Sequence, residues 1–473
     1  MAATIIQTFK TSGAAYDPST PPPPFGYDLK KYWTFEEGFI NLDHGAYGAQ
    51  PLPVMAEAVK YQLIAEANPD KFHRVECFPL LTESRQLLAN LIGAKLNEVV
   101  FIPNVTHGIN TVLRNFEWKA GDIVLSSSTS YYSVKKTIQY LIDRSPGAGL
   151  TAYDLPLALP MGSVDIVDAF RKRIRELKQQ HSHTTFSDKP WGNSSMPRAN
   201  KFVVMIDSII STPGVLLPWK ELVAMCKEEG VWSVVDAAHS LGQEVNINLS
   251  DVQPDFWISN AHKWLYVKRG TAILYVPERN QHIIKSAIPT AHMYREKGAF
   301  ERRNITLPTF VAQHEDLGTR DLSSWLTVKP ALAFRTWLGG ETIINAYCRD
   351  LALAGGALLA DILGTELLDP SGNSTLNMTN VRLPLPTSTA FPYSHTLLGT
   401  MEEYIRDKLL YEWNTYAVHY FYAGKWWVRA SAQVFNELSD FEYLGKALVQ
   451  ICKDTEEEFL VPRNSQHSEQ ARL

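Results

Sequence analysis

Two apolar runs in the middle of the chain end in side chains that together can do specific chemistry. In VWSVVDAAHS (231–240) an almost unbroken apolar run stops at Asp236, with His239 three residues later. In DFWISNAHKWL (255–265) a second run gives way to Asn260, His262 and Lys263, the lysine lying 27 residues after the aspartate. Taken singly, Asp236 reads as a helix cap or ion-pair partner and Lys263 as a surface group. Together they meet the needs of a pyridoxal phosphate site. A lysine amine forms the Schiff base, and a carboxylate keeps the pyridine nitrogen protonated so that the ring accepts electrons.

Such groups need a scaffold that presents strand ends side by side. Strands are expected at 99–102, 123–126, 150–153, 202–206, 232–235, 256–258 and 272–276, with helical periodicity at 54–67, 80–92 and 164–179 between them. That alternation implies an α/β fold with a mostly parallel sheet covered by helices, whose function lies beyond the carboxyl ends of the strands. After about Val328 a helical stretch to Leu363, containing two glycine pairs, precedes shorter strands and helices. The expected division is an N-terminal extended arm (1–40), a large cofactor domain (41–325), a smaller α+β domain (326–461) and a polar tail (462–473). Residues 11–24 are rich in Pro, Ser, Thr and Gly, and the polar excursion at 180–200 reads as a surface loop.

Composition bounds the partners. A net charge of −5 on 473 residues, 45% of them hydrophobic, excludes a polybasic nucleic-acid binder and a charge-driven disordered chain. The four cysteines are scattered without a CxxC, which argues against a disulfide scaffold or zinc ribbon and suits a reducing compartment. No apolar run reaches the roughly 18 residues of a membrane span, and MAATIIQTFK lacks the pattern of a secretory leader. A cytoplasmic enzyme that binds neither membrane nor nucleic acid is expected.

VVDAAHS followed by SNAHKWLYVKRG resembles the aminotransferase class V family of fold-type I pyridoxal-phosphate enzymes, which includes cysteine desulfurases, isopenicillin-N-epimerase-like proteins and amino-acid C–S lyases. The resemblance extends from NLDHGAYG (41–48) to RASAQVFN (429–436) and implies a seven-stranded sheet in the large domain. It implies Lys263 as the Schiff-base residue, Asp236 as the pyridinium partner and His239 near the phenolic oxygen. In FIPNVTHGIN, otherwise an ordinary helix start, Asn104, Thr106 and His107 match the phosphate cradle, where backbone N–H groups at a helix N-terminus bind the anion. Asn260 and His262 match further phosphate ligands. Thr319, in GTRD (318–321), matches a segment that reaches the neighbouring subunit's phosphate, so a homodimer with a shared site is implied. Tyr131 matches the ring stacked on the cofactor and a proton donor, with Tyr132 the alternative one register away. Ser211 falls near the phenolic oxygen, while Ser208 stands where relatives carry a histidine. Arg429, within WWVRASAQVFN, matches the anchor of the substrate α-carboxylate, with His44 and Tyr47 at the pocket entry.

Cysteine usage helps to choose a reaction. A desulfurase carries sulfur on a cysteine in a mobile loop, whereas Cys348 (AYCRD) and Cys452 (LVQICKD) sit in helical patterns. The expectation is β-elimination from a small-molecule amino-acid sulfoxide, with Lys263 as base and no metal. A desulfurase, an epimerase-like enzyme and a catalytically silent binding protein are the alternatives. Eight aromatics within 411–427 are expected to be a packed sheet, with the further idea that one or two of them, or Tyr47, meet a trimethylammonium group.

Overall fold

The computed structural model describes residues 16–144, 149–187, 199–286, 288–290, 294, 309–315 and 317–460. These fall into two compact units. The first holds residues 16–24, 28–34 and 45–346; the second holds 25–27, 35–44 and 347–460.

The first unit is built on seven strands: β1 (Val99–Ile102), β2 (Ile123–Ser127), β3 (Thr151–Leu155), β4 (Phe202–Asp207), β5 (Trp232–Asp236), β6 (Phe256–Asn260) and β7 (Ala272–Tyr275). Their order is β1-β7-β6-β5-β4-β2-β3. All run parallel except β7, which is antiparallel to both its neighbours. All seven expected strands are present, with edges moved by at most two residues. β1, β2 and β4 to β7 are buried at every position, and helices on both faces turn such strands into continuous apolar runs. The covering helices include α1 (Leu52–Ala67), α2 (Cys77–Leu91), α3 (Val105–Asn115), α4 (Tyr132–Arg144), α5 (Ser163–Gln180) and α6 (Trp219–Glu229). The amphipathic face of α3 puts Val105, Ile109, Val112 and Leu113 into one core with Val234, Ile258 and Leu274.

The N-terminal expectation needs correction. Residues 27–32 form a 3-10 helix, and Leu29, Tyr32 and Trp33 are buried. Trp33 donates to the carbonyl of Ala49 at 3.1 Å and meets Tyr266 edge-on, so burial of three large side chains, not extension, fixes this stretch. Residues 35–44 belong to the second unit, where Ile40–Asn41 pairs in parallel with Thr415–Tyr416. The arm before them is tied at Tyr16, whose ring packs on Phe334 and Trp337. The first 15 residues, 188–198 of the excursion and the polar tail lie outside the described residues.

The helical stretch after Val328 breaks into α7 (Val328–Trp337) and α8 (Gly340–Leu363). Gly339 and Gly340 take φ of +109° and +83°, which end α7 where a side chain would be strained. The unit boundary falls within α8, after Ala346, rather than at 325, because α7 packs on α1 and α2. By length and composition α8 is apolar enough to cross a membrane, with a mean hydropathy of 1.2, although charged residues interrupt its apolar run. Leu351, Ala352, Leu359 and Leu363 are nevertheless buried in the second unit's core. Gly355 and Gly356 leave room there for Phe441 and Thr379. Those contacts mark α8 as a core helix.

The second unit has an antiparallel sheet of β8 (Met378–Arg382), β9 (Val418–Tyr422) and β10 (Lys425–Ser431), in the order β9-β10-β8. Helices α9 (His395–Asp407) and α10 (Leu438–Phe459) pack with it. The aromatic run forms β9, β10 and their approach. Trp426 and Trp427 are buried, Phe421 meets Tyr393 and Trp426 edge-on, and the Tyr420 hydroxyl donates to Asn380 at 2.9 Å.

Candidate active site

The carboxyl ends of β4, β5 and β6 and the N-terminus of α3 converge on a cleft of about 300 Å³ in the first unit. This is the size at which small-molecule pockets begin. Asn104, Thr106, Tyr131, Ser211, Asp236, His239, Asn260, His262, Lys263 and Tyr47 line it. Residues spread over more than 200 positions of sequence thus share one space, as the strand-end rule requires.

Two close approaches bring these loops together. A Cβ on Gly242 (φ +83°) would lie 2.6 Å from the backbone nitrogen of Leu265, so the turn after Asp236 touches the lysine loop directly. Gly48 (φ +66°) similarly abuts the carbonyl of His262. Tyr266 holds φ +68°, and its ring is pinned by the Arg335 guanidinium 4.7 Å from its centroid.

Asp236 is buried, accepts from the Ala238 N–H at 3.1 Å, and has its pKa raised to about 6 by burial. Beside it in strand register stands Asp207, which lines the same cleft and was missed in the sequence reading. Burial, then the Asp236 charge, push the Asp207 carboxyl up to about 8. Its Oδ2 accepts from Ser130 Oγ at 2.9 Å, tying it to the turn that carries Tyr131. The signal was present, since FVVMID ends on an acid as WSVVD does. Like charges on paired strand positions cannot both ionise cheaply.

Lys263 Nζ lies 3.0 Å from His239 Nε2, and the Trp264 indole donates to His239 Nδ1 at 3.3 Å. On the other side, His262 Nδ1 is 2.9 Å from the carbonyl of Thr271, a pure acceptor, and therefore carries the proton. Burial lowers its pKa to about 4. Ser208 Oγ and Ser240 Oγ share a 2.6 Å hydrogen bond that joins the two turns after β4 and β5.

At the phosphate end some expectations change. Asn104 Oδ1 caps α3 by accepting from His107 N–H at 2.9 Å, and Asn260 Oδ1 accepts from Val105 N–H at 3.1 Å. Those two amides are thereby engaged inside the protein, and His107 is not among the residues lining the cleft. Its imidazole is half-buried with Nε2 lacking a hydrogen-bond partner among the described residues, and burial lowers its pKa. Among the described residues no hydrogen bond uses the hydroxyl or N–H of Thr106, which stands exposed at the first turn. The fit to pyridoxal phosphate is therefore good: an amine on the strand-end loop, a buried acid, and a helix N-terminus with an available hydroxyl.

Besides His107, two candidates of the first unit, Tyr132 and Thr319, do not line this cleft, and two others, Arg429 and His44, belong to the second unit. Tyr132 is 68% exposed, with Lys136 over its ring at 5.1 Å, because it opens α4 and points along the helix surface, whereas Tyr131 lines the cleft. Thr319 lines a separate cleft of about 580 Å³ with Arg320, Glu315 and Arg74. Arg429 belongs to the second unit, on β10, where it is buried and ion-paired to Asp43 at 2.6 Å. His44 is also in that unit, buried edge-on to Phe435. All four cysteines are buried.

Comparison with known proteins agrees with this geometry. The family model for aminotransferase class V matches residues 195–386, and that for class I and II matches 37–254. The chain is 32% identical to an L-cysteine desulfhydrase-like protein, lolT1, of Epichloe uncinata, over 91% of this chain and 96% of that one. It is 29% identical to hercynylcysteine sulfoxide lyase of Schizosaccharomyces pombe, covering 90% and 98% of the two chains. The fold is similar to that of a cysteine desulfurase from Thermococcus onnurineus, with a TM-score of 0.68 at 20% identity over 92% and 100% of the chains. With Lys263, Asp236 and the start of α3 around one cleft, the chain belongs to the aminotransferase class V family of pyridoxal-phosphate enzymes.

Proposed function

We propose that this carbon–sulfur lyase cleaves hercynylcysteine sulfoxide by β-elimination, giving a sulfenate, pyruvate and ammonia. The observation that carries the reading is the cleft itself, which offers one amine, Lys263, while every cysteine of the chain is buried away from solvent. Persulfide chemistry needs an accessible thiolate, and burial pushes the Cys226 and Cys452 thiols far up in pKa. Elimination needs only a base. Similarity to the S. pombe lyase over nearly its whole length supports the substrate.

Pyridoxal phosphate, when bound, supplies the electron sink that stabilises charge at the substrate α-carbon. Lys263 would hold the cofactor, and its amine Nζ would be the group that takes the α-proton. The Asp236 carboxylate would keep the pyridine nitrogen protonated. Thr106 and the start of α3 would hold the phosphate, with Tyr131, Ser211 and His239 lining the rest of the cofactor's place in the cleft. Tyr47, 75% exposed on the cleft wall, is the aromatic ring best placed to meet the trimethylammonium group. A cytoplasmic homodimer belongs to the same reading, with Thr319 of one chain completing the site of the other.

A second reading is a cysteine desulfhydrase, favoured by the 32% identity to the Epichloe protein. The test supplies hercynylcysteine sulfoxide, cysteine and S-alkylcysteine sulfoxides to the cofactor-loaded protein and measures pyruvate, sulfide and alanine. Lysine-dependent pyruvate from the first substrate alone supports the reading. Sulfide with pyruvate from cysteine means a desulfhydrase, and alanine a desulfurase.

A further inference from the structure

The Lys263 nitrogen sits at the end of a hydrogen-bonded chain whose direction is fixed by its first member. The Trp264 indole N–H is a donor and nothing else, and it points at His239 Nδ1 across 3.3 Å. His239 Nδ1 must therefore present a lone pair. An imidazole keeps at least one proton in water, so that proton is on Nε2. Nε2 lies 3.0 Å from Lys263 Nζ, and with its own hydrogen in that line it can only donate. An ammonium has no lone pair to accept, so the chain Trp264 to His239 to Lys263 closes only when Lys263 is an amine. An imidazolium is disfavoured too, because its Nδ1–H would face the indole N–H.

We propose that Trp264 is a positioning residue that locks His239 as the Nε2–H tautomer and thereby holds Lys263 as a neutral amine. Its surroundings make the lock robust: Trp264 is fully buried and His239 is 1% exposed. Arg335 Nη1 donates to the Trp264 carbonyl at 2.8 Å, fixing the backbone that bears the indole. The groups nearby divide: the Asp236 carboxylate favours an ammonium and the Arg335 guanidinium disfavours one, while burial keeps His262 and Asp207 largely uncharged near pH 7. The neutral form is the one that captures an aldehyde: the nitrogen bonds the carbonyl carbon, its two N–H protons pass to the oxygen, and that oxygen leaves as water. It is also the form that can accept a proton from carbon.

The inference rests on Lys263 being the cofactor lysine, and the experiment separates the two. Full-length protein stripped of cofactor is mixed with pyridoxal phosphate. The initial rate at which the bound chromophore appears is followed between about pH 6 and pH 10, spanning the ordinary histidine and lysine ranges. The adduct is reduced and located by mass spectrometry. A label absent from Lys263 overturns the assignment of the lysine, whatever the rates. With the label there, the wild-type rate is expected to be flat across about pH 7–9, and that of Trp264→Phe to climb about tenfold per pH unit over the same interval. A climbing wild-type profile, or a flat one in Trp264→Phe, overturns the lock. Should that variant not fold, nitrogen NMR of the histidine-labelled wild-type protein decides. Protonated Nε2 with bare Nδ1 in His239 supports the proposal; the other tautomer or an imidazolium at neutral pH overturns it.

Discussion

His239 and His262 flank the same lysine, yet the protein protonates them on opposite nitrogens. At the turn after β5, an indole N–H aimed at Nδ1 leaves His239 with its proton on Nε2. On the loop after β6, the Thr271 carbonyl draws the His262 proton to Nδ1. One ring is thus ready to donate from Nε2 and the other presents a lone pair there. The difference lies in which backbone or indole group the fold brings to Nδ1, and it gives two identical side chains different chemistry.

Removing the group between them has the largest effect. Lys263→Ala is expected to abolish covalent cofactor attachment and to lower pyruvate production by about 10³-fold or more, read from the reduced adduct and a pyruvate assay. Asp236→Asn keeps the shape of the side chain but removes its charge, and a loss of about 10²–10³-fold in kcat is expected with cofactor retained.

The comparison of the two histidines sharpens in cofactor affinity. His262 is held neutral down to about pH 4, so to donate to a phosphate it must gain a proton on Nε2. Binding coupled to proton uptake weakens as pH rises, by up to about tenfold in Kd per pH unit. A Kd titration should show this slope in the wild type and lose it in His262→Gln. An unchanged slope in the variant would remove His262 from the phosphate site.

Smaller effects concern stability. Burial of two like-charged acids is costly, so Asp207→Asn should stabilise the cofactor-free protein by about 1–3 kcal/mol near neutral pH. The gain should fade towards pH 4, where folded and unfolded wild-type chains both bind the proton. His262 and His314 show the opposite sign. Each has a folded pKa of about 4, below the ordinary value, so the unfolded chain binds more protons between about pH 6.5 and 4. Stability is full above that window and falls as pH drops through it, by at most about 2 kcal/mol per histidine at pH 5. Urea denaturation at pH 7 and pH 5, with His314→Gln as control, measures it.

Much of this was readable before any coordinates. Buried parallel strands are continuous apolar runs, and their terminal residues, such as Asp236 and Asn260, marked the site. Asp207 and Trp264 escaped because their meaning depends on neighbours in space. Asp207 matters through its register with Asp236 on the next strand, and Trp264 through the ring it faces 25 residues away. The N-terminal segment was misjudged as an arm because the partners that bury Trp33, among them Tyr266 and Phe334, are remote in sequence.

The sequence by itself determined the alternation of strands and helices and the presence of an amine and an acid at strand ends. Those follow from local periodicity and from the rule that apolar runs stop where solvent begins. Only the tertiary structure decided which histidine nitrogen carries a proton, which acid stands beside Asp236, and which helix amides are already engaged. Protonation and hydrogen bonding are set by the nearest polar atoms in space, and here those atoms come from other strands and turns.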